Sequence, residues 1–265
     1  VQIPVALAAD VQDVGTRQEP NLEQIAALQP DLIIAPSFRI DANYAELNAI
    51  APTLAFDPYP ADESLSQYDE MLQTFRLIAQ AVGKPAEGAQ VLEAMEQTFA
   101  DYAAQLADAG QAEAPFVLAQ AFTGGNGAEV RLFTPNALAV QIAEQLGLRN
   151  AWVGEAFQIY GFSTVSVEAL PELGAAHFFY VVQDDDNVFA ADAVRPLWEA
   201  LPFVQAGRAH ALGGDTWLFG GPLSAERLAA QLAAPLASAA PAGAATTGVC
   251  VAGFRAVTHS AGESC

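Results

Sequence analysis

Hydrophobic positions fall into short unbroken runs that alternate with segments in which they recur every three or four residues. Unbroken runs are typical of strands covered on both faces, and the three-to-four spacing is typical of amphipathic helices. Predicted strands cover 32–35, 53–56, 115–122 and 176–183, and predicted helices cover 43–50, 65–82, 136–147 and 224–237. This alternation predicts an α/β fold with mostly parallel sheets.

Residues 86–109 carry a long helical pattern that separates two regions of strand and helix alternation. Its apolar positions are Val91, Met95, Phe99, Tyr102 and Leu106. A helix of this length spans about 36 Å at roughly 1.5 Å per residue, and it is either a rigid connector between two lobes or a surface helix of one domain. Taken as a connector, it divides the chain into an N-terminal lobe at 1–85, a connecting helix at 86–109 and a C-terminal lobe at 110–237.

The last segment, 238–265, is rich in small residues and has no sustained period, so we predict a poorly ordered tail. Both cysteines, Cys250 and Cys265, lie in it, and their spacing without a neighbouring ligand is a poor zinc pattern. The opening residues, VQIPVALAADVQDVG, lack the basic and apolar regions of a secretion signal. They indicate either a cytoplasmic protein or one whose start has been removed.

The charge balance excludes one class of partner. Ten basic against thirty-one acidic side chains give the 265-residue chain a formal net charge of −21. Nucleic acids are bound by clustered Lys and Arg, so we predict no nucleic-acid partner. No apolar run reaches the roughly eighteen residues of a membrane span.

Catalytic chemistry has little support in the sequence. The histidines are His177, His210 and His259, and no nucleophile elbow, zinc-protease motif or phosphate loop accompanies them. The Gly-rich segment 123–130 lacks the lysine of a phosphate loop and predicts a turn. The acidic run 184–186 is either a solvated loop or a site for a hard cation.

Aromatic and cationic side chains at predicted loop positions form the more informative set. Arg17 follows Gly15 in a loop before a helix, and Phe38 and Arg39 follow the strand 32–35. The remaining members are Tyr160, Trp217 and Phe219. Each aromatic residue alone could pack in a core, and Arg17 alone could be a solvated surface residue. Together, at the rim where α/β sheets bind ligands, they favour a flat, partly apolar, anionic ligand.

Several blocks in a fixed order carry a family resemblance. The blocks "DVGTRQEPNLEQIAALQPDLIIA", "GFSTVSVEALPEL", "PLWEALPFVQAGRAHAL" and "WLFGGPLSAERLAAQL" resemble the periplasmic siderophore-binding proteins of ABC iron importers, most of all the ferric hydroxamate-binding branch. The resemblance covers about residues 1–236. It implies two α/β lobes joined by one long backbone helix, with the ligand in a cleft between them. It also implies a monomer without enzymatic activity that delivers a ferric siderophore to a membrane permease.

The resemblance extends to individual residues. The ligand-binding residues it implies are Arg17, Phe38, Arg39, Tyr160, Trp217 and Phe219. Arg17 matches an arginine that contacts iron-bound hydroxamate oxygens, a role suited to charge-assisted hydrogen bonds. A cleft tyrosine of the family aligns with Arg39 or Phe38. At this position a guanidinium or a bare ring therefore replaces the phenol hydroxyl, which puts the identity of the ligand in question. The siderophore chelates Fe(III), so neither a cofactor nor a protein metal ligand is expected.

The resemblance also implies docking to the permease and a location outside the cytoplasmic membrane. Glu23 and Glu168 match glutamates that dock onto arginines of the permease, although each could simply favour its helix N-terminus. The protein would be periplasmic or lipid-anchored, with a start that lacks the family's first strand, helix and strand. Alternatives are a heme- or corrinoid-binding protein of the same fold, or a siderophore-processing hydrolase.

Overall fold

Helices and strands alternate along the chain in the computed structural model, which describes residues 7–125, 127–154 and 156–238. The helices are α1 (Leu22–Leu28), α2 (Ser37–Ile40), α3 (Tyr44–Ile50), α4 (Gln67–Ala81), α5 (Pro85–Asp108), α6 (Leu138–Gln145), α7 (Arg195–Ala200), α8 (Pro202–Gln205) and α9 (Pro222–Ala237). Two 3₁₀ helices cover Val167–Leu173 and Val188–Ala190. The predicted tail from 239 onward lies outside the described residues.

The strands of the described residues form two sheets. They are β1 (Ile33–Pro36), β2 (Thr53–Phe56), β3 (Pro115–Gly124), β4 (Gly127–Phe133), β5 (Arg149–Asn150), β6 (Phe162–Ser166), β7 (His177–Val181) and β8 (Ala209–Ala211). The small sheet pairs β1 with β2 in parallel, and the larger sheet has the order β6-β4-β3-β7-β8, with β5 beside the start of β3. The mostly parallel α/β fold predicted from the sequence is confirmed.

The β3–β4 hairpin was not predicted. The Gly-rich segment 123–130 makes the predicted turn, but Gly124 and Gly127 pair across it, and β3 and β4 continue as an antiparallel hairpin. Strand β6 then pairs antiparallel with β4. The short β4 sequence, GAEVRLF, has a polar residue at every other position at its start, so its pattern is weaker than that of the buried strands.

Helix α5 is the predicted long helix and begins with Pro85 in its first turn, where proline is tolerated. Its buried residues Leu92, Met95, Phe99 and Leu106 recur at spacings of three to seven residues and face one core with α4 and α9. Helix α4 adds Tyr68 and Leu72 to that core. The division of the chain at residue 85 stays a prediction.

Two further cores complete the packing. The opposite face of the larger sheet carries an aromatic stack in which Phe178 lies over Phe203 at 4.6 Å and Phe189 over Trp198 at 4.0 Å between ring centroids. The small sheet packs on a core made of Ile25, Ile40 and Leu47. No helix within the described ranges is long and apolar enough to cross a membrane.

Candidate functional site

Tyr59 lies at the centre of a group of aromatic rings where the two sheets meet. It follows the end of β2 in the segment "FDPYP" and is half-buried. Its ring centroid is 5.5 Å from that of Phe38, 5.2 Å from that of Tyr160 and 6.4 Å from that of Phe219. Tyr59 and Phe38 follow strands of the small sheet, whereas Tyr160 and Phe219 belong to segments around the larger sheet.

The rings on the side of the larger sheet also contact one another. Phe162 stacks beside Tyr160 and meets Phe219, each at 6.4 Å between centroids, and Trp217 lies 5.7 Å from Phe219. Phe133, fully buried in the core, contacts Phe162 and Phe219 from below. We call the connected set the aromatic cluster: it contains Phe38, Tyr59, Tyr160, Phe162, Trp217 and Phe219. Tyr160 and Trp217 are 48% and 42% exposed, so the cluster presents aromatic surface to solvent.

Two arginines act electrostatically on Tyr59. The guanidinium carbon of Arg39 is 4.6 Å from the ring centroid of Phe38, and its Nε atom is buried with no hydrogen-bond partner among the described residues. Burial raises the pKa of Tyr59, whereas the charges of Arg39 and Arg17 oppose that rise and Tyr160 adds to it. Both guanidinium groups are therefore close enough to the phenol to act on it electrostatically.

Arg131 adds a positive charge beneath the other wall of the site. Its guanidinium carbon lies 4.8 Å from the ring of Phe122 and 4.5 Å from the ring of Phe162. Nη1 donates a hydrogen bond of 3.1 Å to Oε1 of Gln120. Burial lowers the pKa of Arg131, and the neighbouring carboxylate of Glu129 opposes that change. The side chain is thus held between two rings by cation–π contacts.

The segment that carries Tyr160 is fixed by two features. Gly161 has φ +75°, and a Cβ at this position would lie 2.8 Å from Cα of Ala137, so only glycine fits between Tyr160 and Phe162. The buried side chain of Gln67 donates to the carbonyl of Ile159 at 3.2 Å and accepts from the backbone N–H of Leu138 at 3.0 Å. Helix α4 is thereby tied to the residue before Tyr160.

The structure brings the predicted site residues together. Phe38, Tyr160, Trp217 and Phe219 are members of the aromatic cluster, and Arg17 and Arg39 act on its central residue. Their role in ligand binding stays a prediction.

Two residues of the site, Tyr59 and Arg131, were missed from the sequence. Phe162 stands beside Tyr160 among the loop aromatics noted in the sequence but was not assigned to the site. The position of Tyr59 between prolines directly after the strand 53–56 was the available signal, because it repeats the placement of Phe38. No comparable signal marks Arg131, which lies inside a strand.

The two predicted docking residues lie apart from the aromatic cluster. Glu23 is exposed in the first turn of α1, and Glu168 is exposed in the first turn of the 3₁₀ helix Val167–Leu173. Hydrogen bonds from the Ser166 side chain and from its own backbone N–H lower the pKa of Glu168. Both residues are exposed to solvent, and their role in docking stays a prediction.

Two pockets adjoin the aromatic cluster. One of about 250 Å³ is mainly apolar and is lined by Tyr59 and Phe219 together with residues of α4 such as Met71. The other, of about 700 Å³, includes Asn136 and Phe157 and lies beside the segment that leads into Tyr160. Within the described part of the chain, no group of three or more His, Cys, Asp or Glu residues could hold a metal ion.

The chain belongs to the family described as periplasmic binding proteins, whose sequence model matches residues 2–216. Among its relatives, the Fe(3+)-citrate-binding protein YfmC of Bacillus subtilis is 30% identical over 213 residues, which cover 80% of this chain and 63% of that protein. The Fe(3+) dicitrate-binding periplasmic protein FecB of Escherichia coli is 30% identical over 221 residues, 83% of this chain and 68% of that protein. The chain thus spans less than two thirds of the length of the first relative.

The fold is also that of solved siderophore-binding proteins. The siderophore-binding protein FhuD from Vibrio cholerae, solved with bound Fe³⁺-Desferal, has a TM-score of 0.76 and 32% sequence identity. The match covers 89% of this chain and 85% of that one. The family resemblance drawn from the ordered sequence blocks is confirmed.

Proposed function

We propose that this protein is the solute-binding component of an ABC importer and captures a ferric siderophore in the cleft at the aromatic cluster. The observation that carries this proposal is the partly exposed aromatic cluster, which Arg39 contacts at Phe38 and on whose central residue, Tyr59, the charges of Arg39 and Arg17 both act. Aromatic faces cover the apolar backbone of a chelator, and guanidinium groups donate hydrogen bonds to the anionic oxygens around the metal. The iron is cargo and stays bound to the siderophore.

The comparisons support this proposal at two levels. The relatives named above are an Fe(3+)-citrate-binding and an Fe(3+) dicitrate-binding protein, and the Vibrio cholerae protein holds Fe³⁺-Desferal. Hydroxamate oxygens on the iron remain our proposal for the groups that Arg17 contacts. The protein would act as a monomer outside the cytoplasmic membrane, either periplasmic or lipid-anchored, and would pass its ligand to a membrane permease without a catalytic step.

Tryptophan fluorescence provides the test. Trp217 is exposed beside Phe219, so a bound ferric chelate should quench it. We expect saturable quenching by ferrioxamine B with no turnover of the chelate, and weak responses to heme and cobalamin. The variant Trp217→Phe should lose most of the quenching while isothermal calorimetry still detects binding. If only heme or cobalamin binds saturably, that compound and not a siderophore is the ligand. Release of hydrolysed siderophore would indicate an enzyme.

A further inference from the structure

Arg17 and Arg39 carry two positive charges that form no salt bridge with any carboxylate of the described residues. The salt bridges in the described part of the chain join Lys84 to Glu87, Arg195 to Asp192 and Arg227 to Asp215. Neither Arg17 nor Arg39 has a carboxylate oxygen within 4.0 Å there. Both arginines act electrostatically on the same residue, Tyr59. Their charges are available to a ligand.

Arg39 is the more constrained of the two. Its guanidinium lies against the Phe38 ring, and Phe38 in turn contacts Tyr59, so the side chain is held at the edge of the aromatic cluster. Its buried Nε donor finds no hydrogen-bond acceptor among the described residues. A buried donor without an acceptor is costly. Nη1 and Nη2 of Arg39 are not among the buried, unpaired atoms of the described residues, so a ligand would contact the guanidinium there rather than at Nε.

The charge of a ferric siderophore determines how many arginines can form favourable charge-assisted hydrogen bonds with it. In a ferric trihydroxamate, the three anionic hydroxamates balance the charge of the iron, so the centre as a whole is neutral. One guanidinium can donate to the oxygens of such a centre, but a second gains most from a separate anionic group. A carboxylate fits best, because its two oxygens match the planar fork of a guanidinium.

We propose that Arg39 determines specificity and that the site selects ferric chelates that carry a free carboxylate in addition to the groups on the iron. This inference rests on the proposed capture of a ferric siderophore and specifies its chemical class. The net charge of −21 acts against this preference, because the electrostatic field of the whole protein favours a cationic chelate over an anionic one. A preference for the anionic chelate must therefore arise locally, at the arginines.

A matched pair of ligands tests this inference. Ferrioxamine B has a terminal ammonium group, and succinylation of that amine replaces it with an amide and a carboxylate without changing the trihydroxamate centre. Titrations at 0.15 M salt, where charges beyond roughly 8 Å are screened, should give the succinylated chelate a Kd lower by about tenfold or more. Arg39→Gln should reduce this ratio to about twofold or less, mainly by weakening the succinylated chelate.

Arg149→Gln is the control, because Arg149 is exposed at β5, beside the start of β3 and away from the aromatic cluster. It removes the same charge from the whole-protein field and should leave the ratio unchanged. Equal affinity of the wild-type protein for both chelates would overturn the inference and leave the proposed function intact. A ratio that persists in Arg39→Gln would also overturn it. If neither chelate binds saturably, the proposed function fails and the inference fails with it.

Discussion

Arg17 is exposed in the loop before α1, yet its charge acts on the half-buried phenol of Tyr59. We expect Arg17→Ala to weaken binding of ferrioxamine B by about 1.5–3 kcal/mol, the range for hydrogen bonds to charged groups. Arg17→Lys should recover only part of this loss, because an ammonium group lacks the planar fork of the guanidinium. Fluorescence titration of the three proteins measures both effects. Wild-type affinity in both variants would mean that Arg17 is a solvated surface residue.

At the level of single residues, the sequence predicts those site residues that directly follow a strand or turn along the chain. Arg17, Phe38 and Arg39 follow predicted strands or turns, so their place at the rim of the sheets could be expected. Tyr59 could not be identified as the central ring, because its contacts with Tyr160 and Phe219 join segments about a hundred or more residues apart. Which loops meet is a property of the whole fold, and no local pattern encodes it.

Helix α4 holds the Tyr160 segment through one buried side chain, that of Gln67. We expect Gln67→Ala to lower the free energy of unfolding by about 1–3 kcal/mol, because it leaves the buried N–H of Leu138 without its acceptor. Siderophore affinity should fall as well, since the carbonyl of Ile159 loses its donor next to Tyr160. Urea denaturation and fluorescence titration measure the two effects.

The matched control lies on the same helix. Gln73 is exposed, and Gln73→Ala should change the free energy of unfolding by no more than about 0.5 kcal/mol. If Gln67→Ala is as stable as Gln73→Ala, the hydrogen bonds of Gln67 with Ile159 and Leu138 do not stabilise the packing of α4 against the site.

Strands β7 and β8 are joined by a pair of histidines as well as by their backbones. Nδ1 of His177 lies 3.0 Å from Nε2 of His210, so one ring donates a proton that the other accepts. Burial, then His210 and Arg208, lower the pKa of His177 from 6.5 to about 4, and burial lowers the pKa of His210. The unfolded chain therefore binds more protons between these pH values, and stability decreases as pH falls from 6.5 towards 4.

This pair makes a measurable contribution to the pH dependence of stability. We expect the free energy of unfolding of the wild-type protein to fall more steeply from pH 7.5 to pH 5 than that of the double variant His177→Phe/His210→Phe. The carboxylates titrate in both proteins, so the difference between the two curves isolates the imidazoles. Parallel curves would show that the pair does not titrate in this range.

Most elements were predictable because each repeats a simple pattern over enough residues. The buried strand β7 and the long helix α5 are examples, and α5 begins within one residue of its predicted start. The β3–β4 hairpin was not predicted as a unit, since a Gly-rich turn and a partly polar strand give little periodicity. Its pairing depends on partners in β6 and β7, which are distant in the sequence.

The whole molecule presents Glu23 and Glu168 on exposed first turns of two helices that each precede a strand. We expect Glu23→Lys/Glu168→Lys to abolish siderophore uptake through a reconstituted permease, because fixed charges at two places set the orientation of docking. Siderophore affinity should stay within about twofold of the wild-type value, since neither residue belongs to the aromatic cluster.

The outcomes of that experiment separate the roles of the two glutamates. Unchanged uptake would reduce each glutamate to a favourable charge near a helix N-terminus, worth about 0.3–1 kcal/mol. Impaired ligand binding would instead assign these residues to the fold. Glu46→Lys/Glu93→Lys, at exposed positions of α3 and α5, is a control with the same change in net charge.

The contact between Tyr59 and Tyr160 joins the two walls of the site directly. Their ring centroids are 5.2 Å apart, and a ferric chelate that enters between them must separate the rings. Capture of such a ligand exchanges ring-to-ring contacts for ring-to-chelate contacts, so the net apolar area removed from water is smaller than the area the ligand covers. The heat-capacity change of binding follows that net area. Calorimetry on this protein should therefore record a smaller decrease in heat capacity than a site with six fully solvated rings would give.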